Sequence, residues 1–357
     1  MTREKLEDLA ANTRVGFTLK RGNAWHYRVG DPNSARNHFE GAVPMESALE
    51  LFAWDAVRCE LFVKAPEGFT PPPVEIEPGV FVDNPAGEYL LVPGRQAVMH
   101  NGTGTVFGVF MGGYDIHQYR DWLLQRVSNL LDDQLAIGSC GTLKLGAQAW
   151  VSVEVPENIT TPEGVVFRPN LLACTSHDGS LATTFKRVVT NVVCDNTLAA
   201  GLGEVGQQLK IKHSRYSHLR LNEARDALAL VYTIADDFAA EVAALTRLDV
   251  SDKAWSAFIE AHSPLVDEKG KEKTGRSLTM ATNERESLTQ LWNHDNRVSP
   301  WHGTAFGVLQ AVNTYTHHIQ TVRNSPRPER NMSNAITGKT DALDKATVSE
   351  LMKVLAE

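Results

Sequence analysis

A chain of 357 residues with 42% apolar and 22% charged side chains can bury a sizeable core without disulfide staples, and this balance excludes fibrous, low-complexity and disordered classes. Its net charge of −8 excludes bulk attraction to a polyanion, so any nucleic-acid contact must be built from locally grouped cations. No apolar run approaches the roughly 18 residues of a membrane span, and the charged start MTREKLEDLAANTRVGF predicts no secretory signal; a cytoplasmic protein without a membrane partner is expected.

In chain order, residues 1–64 predict a short opening helix, a polar loop over 23–37 and a helix over about 45–56 that Ser47 can cap. Between Ala65 and Pro93, seven prolines interrupt short apolar runs such as Gly79-Val80-Phe81-Val82. Prolines at this density forbid central strands and allow edges and turns, so an irregular β-rich region is expected. Gly112-Gly113 precedes an amphipathic helix over 115–133, with Ile116, Tyr119, Leu123, Val127, Leu130 and Leu131 at helical spacing. Three antiparallel strands follow, over 142–155, 165–175 and 183–193, joined by turn-rich segments at 156–164 and 176–180.

Leu221, Ala224, Leu228, Val231, Ala235, Phe238, Val242 and Leu245 then repeat at 3,4 spacing, which predicts one long heptad-patterned helix. Beyond it the pattern predicts a helix over 255–261, a charged loop over 262–276, a core helix over 304–322, a polar linker over 323–339 and a terminal helix over 340–355. The expected class is α+β: an antiparallel β-β-β sheet packed by helices, behind a β-rich irregular N-terminal region. The expected divisions are 1–113, 114–250, 251–322 and 323–357.

Lys210, Lys212, His213, Arg215, His218, Arg220 and Arg225, with Lys186 and Arg187 on the preceding strand, form the densest positive cluster of this acidic chain. Tyr216 lies inside it. Cations along one segment can follow a phosphate backbone while an aromatic ring stacks on a base. The expected DNA-binding residues are therefore Lys186, Arg187, Lys210, Lys212, Arg215, Tyr216, Arg220 and Arg225. The alternative for the same residues is a solvated face pairing with Glu204, Glu223 and Asp226.

Other constellations resolve to structure. Ser176-His177-Asp178-Gly179-Ser180 holds the residue types of a hydrolytic triad, but neighbours on one turn cannot converge as a triad must, and Asp-Gly is itself a turn signal. His294, Asp295, His302, His317 and His318 lack metal-ligand spacing, Cys59, Cys140, Cys174 and Cys194 form no CxxC pair, and Gly201, Gly203 and Gly206 do not close a strand-to-helix turn. No metal, cofactor or catalytic residue is predicted, and the thiols are expected reduced.

Asn23-Ala24-Trp25-His26, Gly112-Gly113-Tyr114, Thr142 to Ala147, Ser176 to Ser180, Arg187 to Leu198 and Trp301-His302-Gly303-Thr304 with Tyr315 and His318, taken in this order, resemble the phage/plasmid-like protein family, domain of unknown function 932, over about residues 20–320. The resemblance implies a mobile-element origin and an intracellular setting, and it carries over no catalytic residues. The order helix, β-β-β, long helix is similar in architecture to single-strand annealing proteins, which assemble as rings or helices. Together these imply a homo-oligomeric protein that binds and anneals single-stranded DNA in recombination. Two alternatives stand beside it: an enzyme on nucleotides or nucleic acid using His177, Asp178, His213 and Asp195, or a mobile-element interaction protein whose heptad helix packs between molecules.

Overall fold

Alternating small and β-branched residues between positions 136 and 191 build the larger sheet of this protein. The computed structural model describes residues 7–8, 10–21, 37–69, 72–83, 88–126, 135–155, 157–191, 196–199, 208–214, 231–323 and 325–357. Its strands are β1 (Thr13–Val15), β2 (Ala56–Lys64), β3 (Val74–Glu77), β4 (Val80–Val82), β5 (Tyr89–His100), β6 (Val106–Met111), β7 (Ala136–Leu143), β8 (Gln148–Glu154), β9 (Ile159–Thr160), β10 (Val166–Ser176), β11 (Thr183–Asn191), β12 (Asn196–Ala199) and β13 (Gln208–Ile211). The helices used below are α1 (Met45–Leu51), α2 (Val231–Thr246), α3 (Asp252–His262), α4 (Gly275–His294), α5 (Ala305–Thr314), α6 (Arg327–Thr337) and α7 (Lys339–Ala356), with a π-helical turn at Arg120–Gln125.

The α+β class holds. The larger sheet runs β1-β7-β8-β10-β11-β12, with β13 also on β11 and β9 on β10; a second sheet runs β2-β5-β6, and β3-β4 is a separate hairpin. The named strands pair antiparallel. Side chains alternate across a strand, so the large sheet has two different faces. Phe167, Leu171 and Ala173 of β10 and Phe185 and Val189 of β11 lie in the main core, where the Phe167 ring sits 4.6 Å from Phe238 of α2. Leu172, Cys174 and Val188 form the opposite cluster with Leu143, Trp150 and Ile336 of α6. That second face also buries Gln148, Ser152, Glu154, Arg168, Asn170, Thr184 and Lys186. Trp150 lies flat across Gly141, where an added Cβ would fall 2.1 Å from the indole. Gly141→Ala is therefore expected to lower stability by about 1–3 kcal/mol in chemical denaturation, as overpacking of a buried ring does.

Several expectations are corrected. The stretch 142–155 is not one strand: β7 and β8 turn at Lys144 and Leu145, whose φ values of 52° and 57° reverse the chain without an Asn-Gly signal. The helix expected from 115 becomes helical only around 120, and the residues before it are tied by side-chain bonds to the rest of the fold. Gln118 brackets the Ala56 backbone, accepting from its N–H at 3.0 Å and donating to its carbonyl at 2.7 Å. Proline does enter a central strand, β5, but Pro93 lies in the irregular stretch between Leu91 and Gln96, where no β2 partner is registered. Residues 275–294 form α4 although only Ala281, Leu288, Leu291 and Trp292 are buried along it. Residues 327–337, expected as linker, form α6.

The heptad helix is described from Val231 onward; its start over 221–230 lies outside the described residues. Phe238, Val242 and Leu245 are buried within the same core as the sheet, so this part of the seam packs inside the molecule. Among the described residues no helix is long and apolar enough to cross a membrane.

Candidate functional site

The segments that carry chemistry gather at the end of the large sheet where β7 turns into β8, β10 turns into β11, and the β2-β5-β6 sheet leans against them. Tyr114 O–H donates to the Ser176 carbonyl at 3.3 Å, and Tyr119 O–H to the Gly146 carbonyl at 2.7 Å. The His177 N–H donates to Ala147 O at 2.8 Å. Lys144 Nζ lies 3.9 Å from Asp178, and Gln148 Nε2 donates to Ser180 Oγ at 2.7 Å. Three segments far apart in sequence, 112–114, 142–147 and 176–180, thus close on one another. Gly179 makes the approach possible: its φ is 73°, and an added Cβ would fall 2.7 Å from the Phe110 ring of β6.

Inside this junction the rings form a stack. His117 lies 3.7 Å from Trp122 and 4.0 Å from His213, and Tyr114 stands 5.1 Å from His213 and 4.0 Å from Phe110. A second stack puts His177 on Tyr119 at 4.0 Å and Trp54 on His100 at 4.0 Å. Hydroxyls tie the first stack to the strands: His117 Nδ1 to Thr183 Oγ1 at 2.6 Å, Thr183 to Thr175 at 2.8 Å, and Thr175 to His213 Nε2 at 3.1 Å. Sequence reasoning missed Trp54, His100, Phe107, His117 and Tyr119 as members, since they come from four separate stretches, at 54, 100, 107 and 117–119, and no local spacing joins those.

Burial is the largest cause pushing the His177 imidazole down to about 3 and that of His213 to about 4. Both are neutral near pH 7, far from the matching pKa of an effective general base. Asp178 accepts from the Ser180 N–H at 2.9 Å, as a turn residue does. Of the residues named for an enzyme, His177 and Asp178 adjoin on one turn and His213 lies in the neighbouring ring stack of the same packed junction; Asp195 lies outside the described residues. Among the described residues no group of His, Cys, Asp and Glu converges as a metal site. Burial raises the Cys140 and Cys174 thiols to about 12, which leaves them unreactive.

The expected DNA-binding residues divide three ways. Lys210 and Lys212 are exposed, on and just after β13, in the same segment as His213. Lys186 and Arg187 do not line a surface furrow beside them. As neighbours on β11 they point to opposite faces, both are buried, and each meets an acid: Lys186 Nζ lies 3.1 Å from Asp341 of α7 and donates to the Ala335 carbonyl, while Arg187 lies 2.7 Å from Asp237 of α2. Arg215, Tyr216, Arg220 and Arg225 lie outside the described residues.

Compared with known families, residues 106–337 match the model of the domain of unknown function DUF932. The chain belongs to the DUF932 family. The match runs from β6 through α6; β1, α1, β2, β5 and the junction residues Trp54 and His100 lie before it, as do Asn23 to His26. No curated protein matches this DUF932 chain, and no solved structure does.

Proposed function

We propose that this DUF932 protein binds single-stranded DNA and promotes annealing of complementary strands, as a homo-oligomer serving recombination in a phage or plasmid. The observation that carries the reading is the exposure of Lys210 and Lys212 on the sheet-edge segment, directly before Arg215, Tyr216, Arg220 and Arg225 in sequence. Cations repeated along a segment suit a flexible phosphate backbone, and the Phe110, Tyr114 and His213 rings beside them are half-buried. Lys186 and Arg187 take no part in contacting the strand; they tie helices to the sheet.

Counterion release makes such binding salt-dependent, with about 0.7 in log–log slope for each phosphate neutralised on a single strand. Titrating a labelled oligonucleotide across a salt series by fluorescence anisotropy is expected to give a steep slope. Lys210→Ala with Lys212→Ala should lower that slope by about 1.4 and weaken binding about tenfold or more. An unchanged slope and affinity in the double variant would reject the assignment. A competing unlabelled RNA of the same sequence decides the choice of nucleic acid, and strand-annealing rates with two complementary oligonucleotides test the second half of the proposal.

A further inference from the structure

Among the described residues, neither face of the hairpin β3-β4 is packed. Val74, Ile76, Val80, Phe81 and Val82 are between 38% and 61% exposed, although they come from both sides of the two strands. A two-stranded hairpin of this kind is marginal in water by itself, and a cluster of exposed apolar side chains is the signature of a contact surface. Its charge is one-sided: between Ala65 and Asp83 the sequence holds Glu67, Glu75, Glu77 and Asp83 and no lysine or arginine, while Glu88 beyond it pairs with Lys64 at 3.3 Å. Two such hairpins facing each other would bring acids against acids, which disfavours a symmetric arm-to-arm contact. A nucleic acid is repelled for the same reason. The complementary surface must be basic, and among the described residues this chain presents exposed cations at Lys210 and Lys212, on and just after the edge strand β13.

From this complementarity we infer that the β3-β4 arm docks onto the β13 edge of a second copy of the chain, head to tail. The apolar side chains of the arm supply burial, and Glu77 and Asp83 face Lys210 and Lys212 of the neighbour. A head-to-tail contact repeats from copy to copy, so it builds rings or filaments in place of closed dimers. The inference goes beyond the single-strand reading and stands without it, although both draw on the same two lysines. Where both hold, the arm covers Lys210 and Lys212 in the DNA-free assembly and an oligonucleotide displaces it, so this contact belongs to the assembly without a strand.

Charge exchange between two variants tests it. In sedimentation velocity at about 50 µM and low salt, the wild-type chain is expected to assemble beyond a monomer. Glu77→Lys with Asp83→Lys, and separately Lys210→Glu with Lys212→Glu, should each sediment as monomers with unchanged melting curves. Mixing the two should restore assembly, because each reversed arm then meets a reversed edge. Ile76→Ser with Phe81→Ser should weaken wild-type assembly as well. A monomeric wild-type chain, an arm variant that assembles unchanged, or a mixture that stays monomeric would each overturn the inference. The arm variant keeps Lys210 and Lys212 and frees them from the arm, so its oligonucleotide binding should be undiminished; absence of salt-dependent binding in that variant would count against the DNA reading alone.

Discussion

Asp341→Ala is expected to destabilise the protein by about 3–5 kcal/mol, the usual cost of stranding one partner of a buried ion pair. The Lys186 ammonium sits on the inner side of the second sheet face with 5% of its side chain exposed, whereas Asp341 is 28% exposed. Removing the acid leaves the cation with the Ala335 carbonyl as its partner among the described residues, in surroundings set by Cys174, Val188 and Ile336. A backbone carbonyl offsets only part of the desolvation of a full charge. The double change Lys186→Met with Asp341→Leu removes both charges and keeps the volume, so it should recover most of the loss. Urea denaturation of the wild type, the single variant and the double variant checks this. A single variant as stable as the wild type would mean that the pair does not hold α6 and α7 against the sheet. The experiment also separates structure from binding: if Lys186 were a phosphate contact, its loss would appear in the oligonucleotide salt slope rather than in stability.

The second large effect is a loss of stability in acid that His177 causes. Unfolded, its imidazole takes a proton near pH 6.5; folded, burial delays protonation until about pH 3. Between these values the unfolded chain binds more protons than the folded one, so stability falls as pH falls through this window. At about 1.4 kcal/mol per pKa unit, His177 alone accounts for about 2 kcal/mol lost between pH 7 and pH 5. His213 and His317, both lowered to about 4 chiefly by burial, act in the same direction. His177→Phe keeps the stack on Tyr119 and removes the titration. Among the described residues neither ring nitrogen of His177 has a hydrogen-bond partner, so the phenyl ring should cost nothing at pH 7 and should flatten the acid limb. Melting temperatures of both proteins from pH 7 to pH 4.5 measure the difference. Parallel curves would show that His177 is not the titrating group.

These two predictions concern residues whose types were plain in the chain and whose surroundings were not. The segment around Lys186 and Arg187 is legible as a strand from its Val-Val-Thr content, and two adjacent cations read naturally as a basic surface. Their burial follows from Asp237 and Asp341, which stand 50 and 155 residues further along the chain. No local pattern announces a pairing over such separations. The same holds for the junction: Ser176 to Ser180 is a turn by its own Asp-Gly pair, but that His177 points into a cage of Trp54, Phe107 and Tyr119 depends on three other elements.

By itself, the order of residues determined the class of the fold, the strand character of 165–175 and 183–193, the existence of α2 and the family, because periodicity and turn chemistry act over a few neighbours. Only the tertiary structure decided which cations stay in water. Burial is a property of what packs over a residue, and here helices from the far end of the chain cover one face of a sheet that its sequence marks as polar.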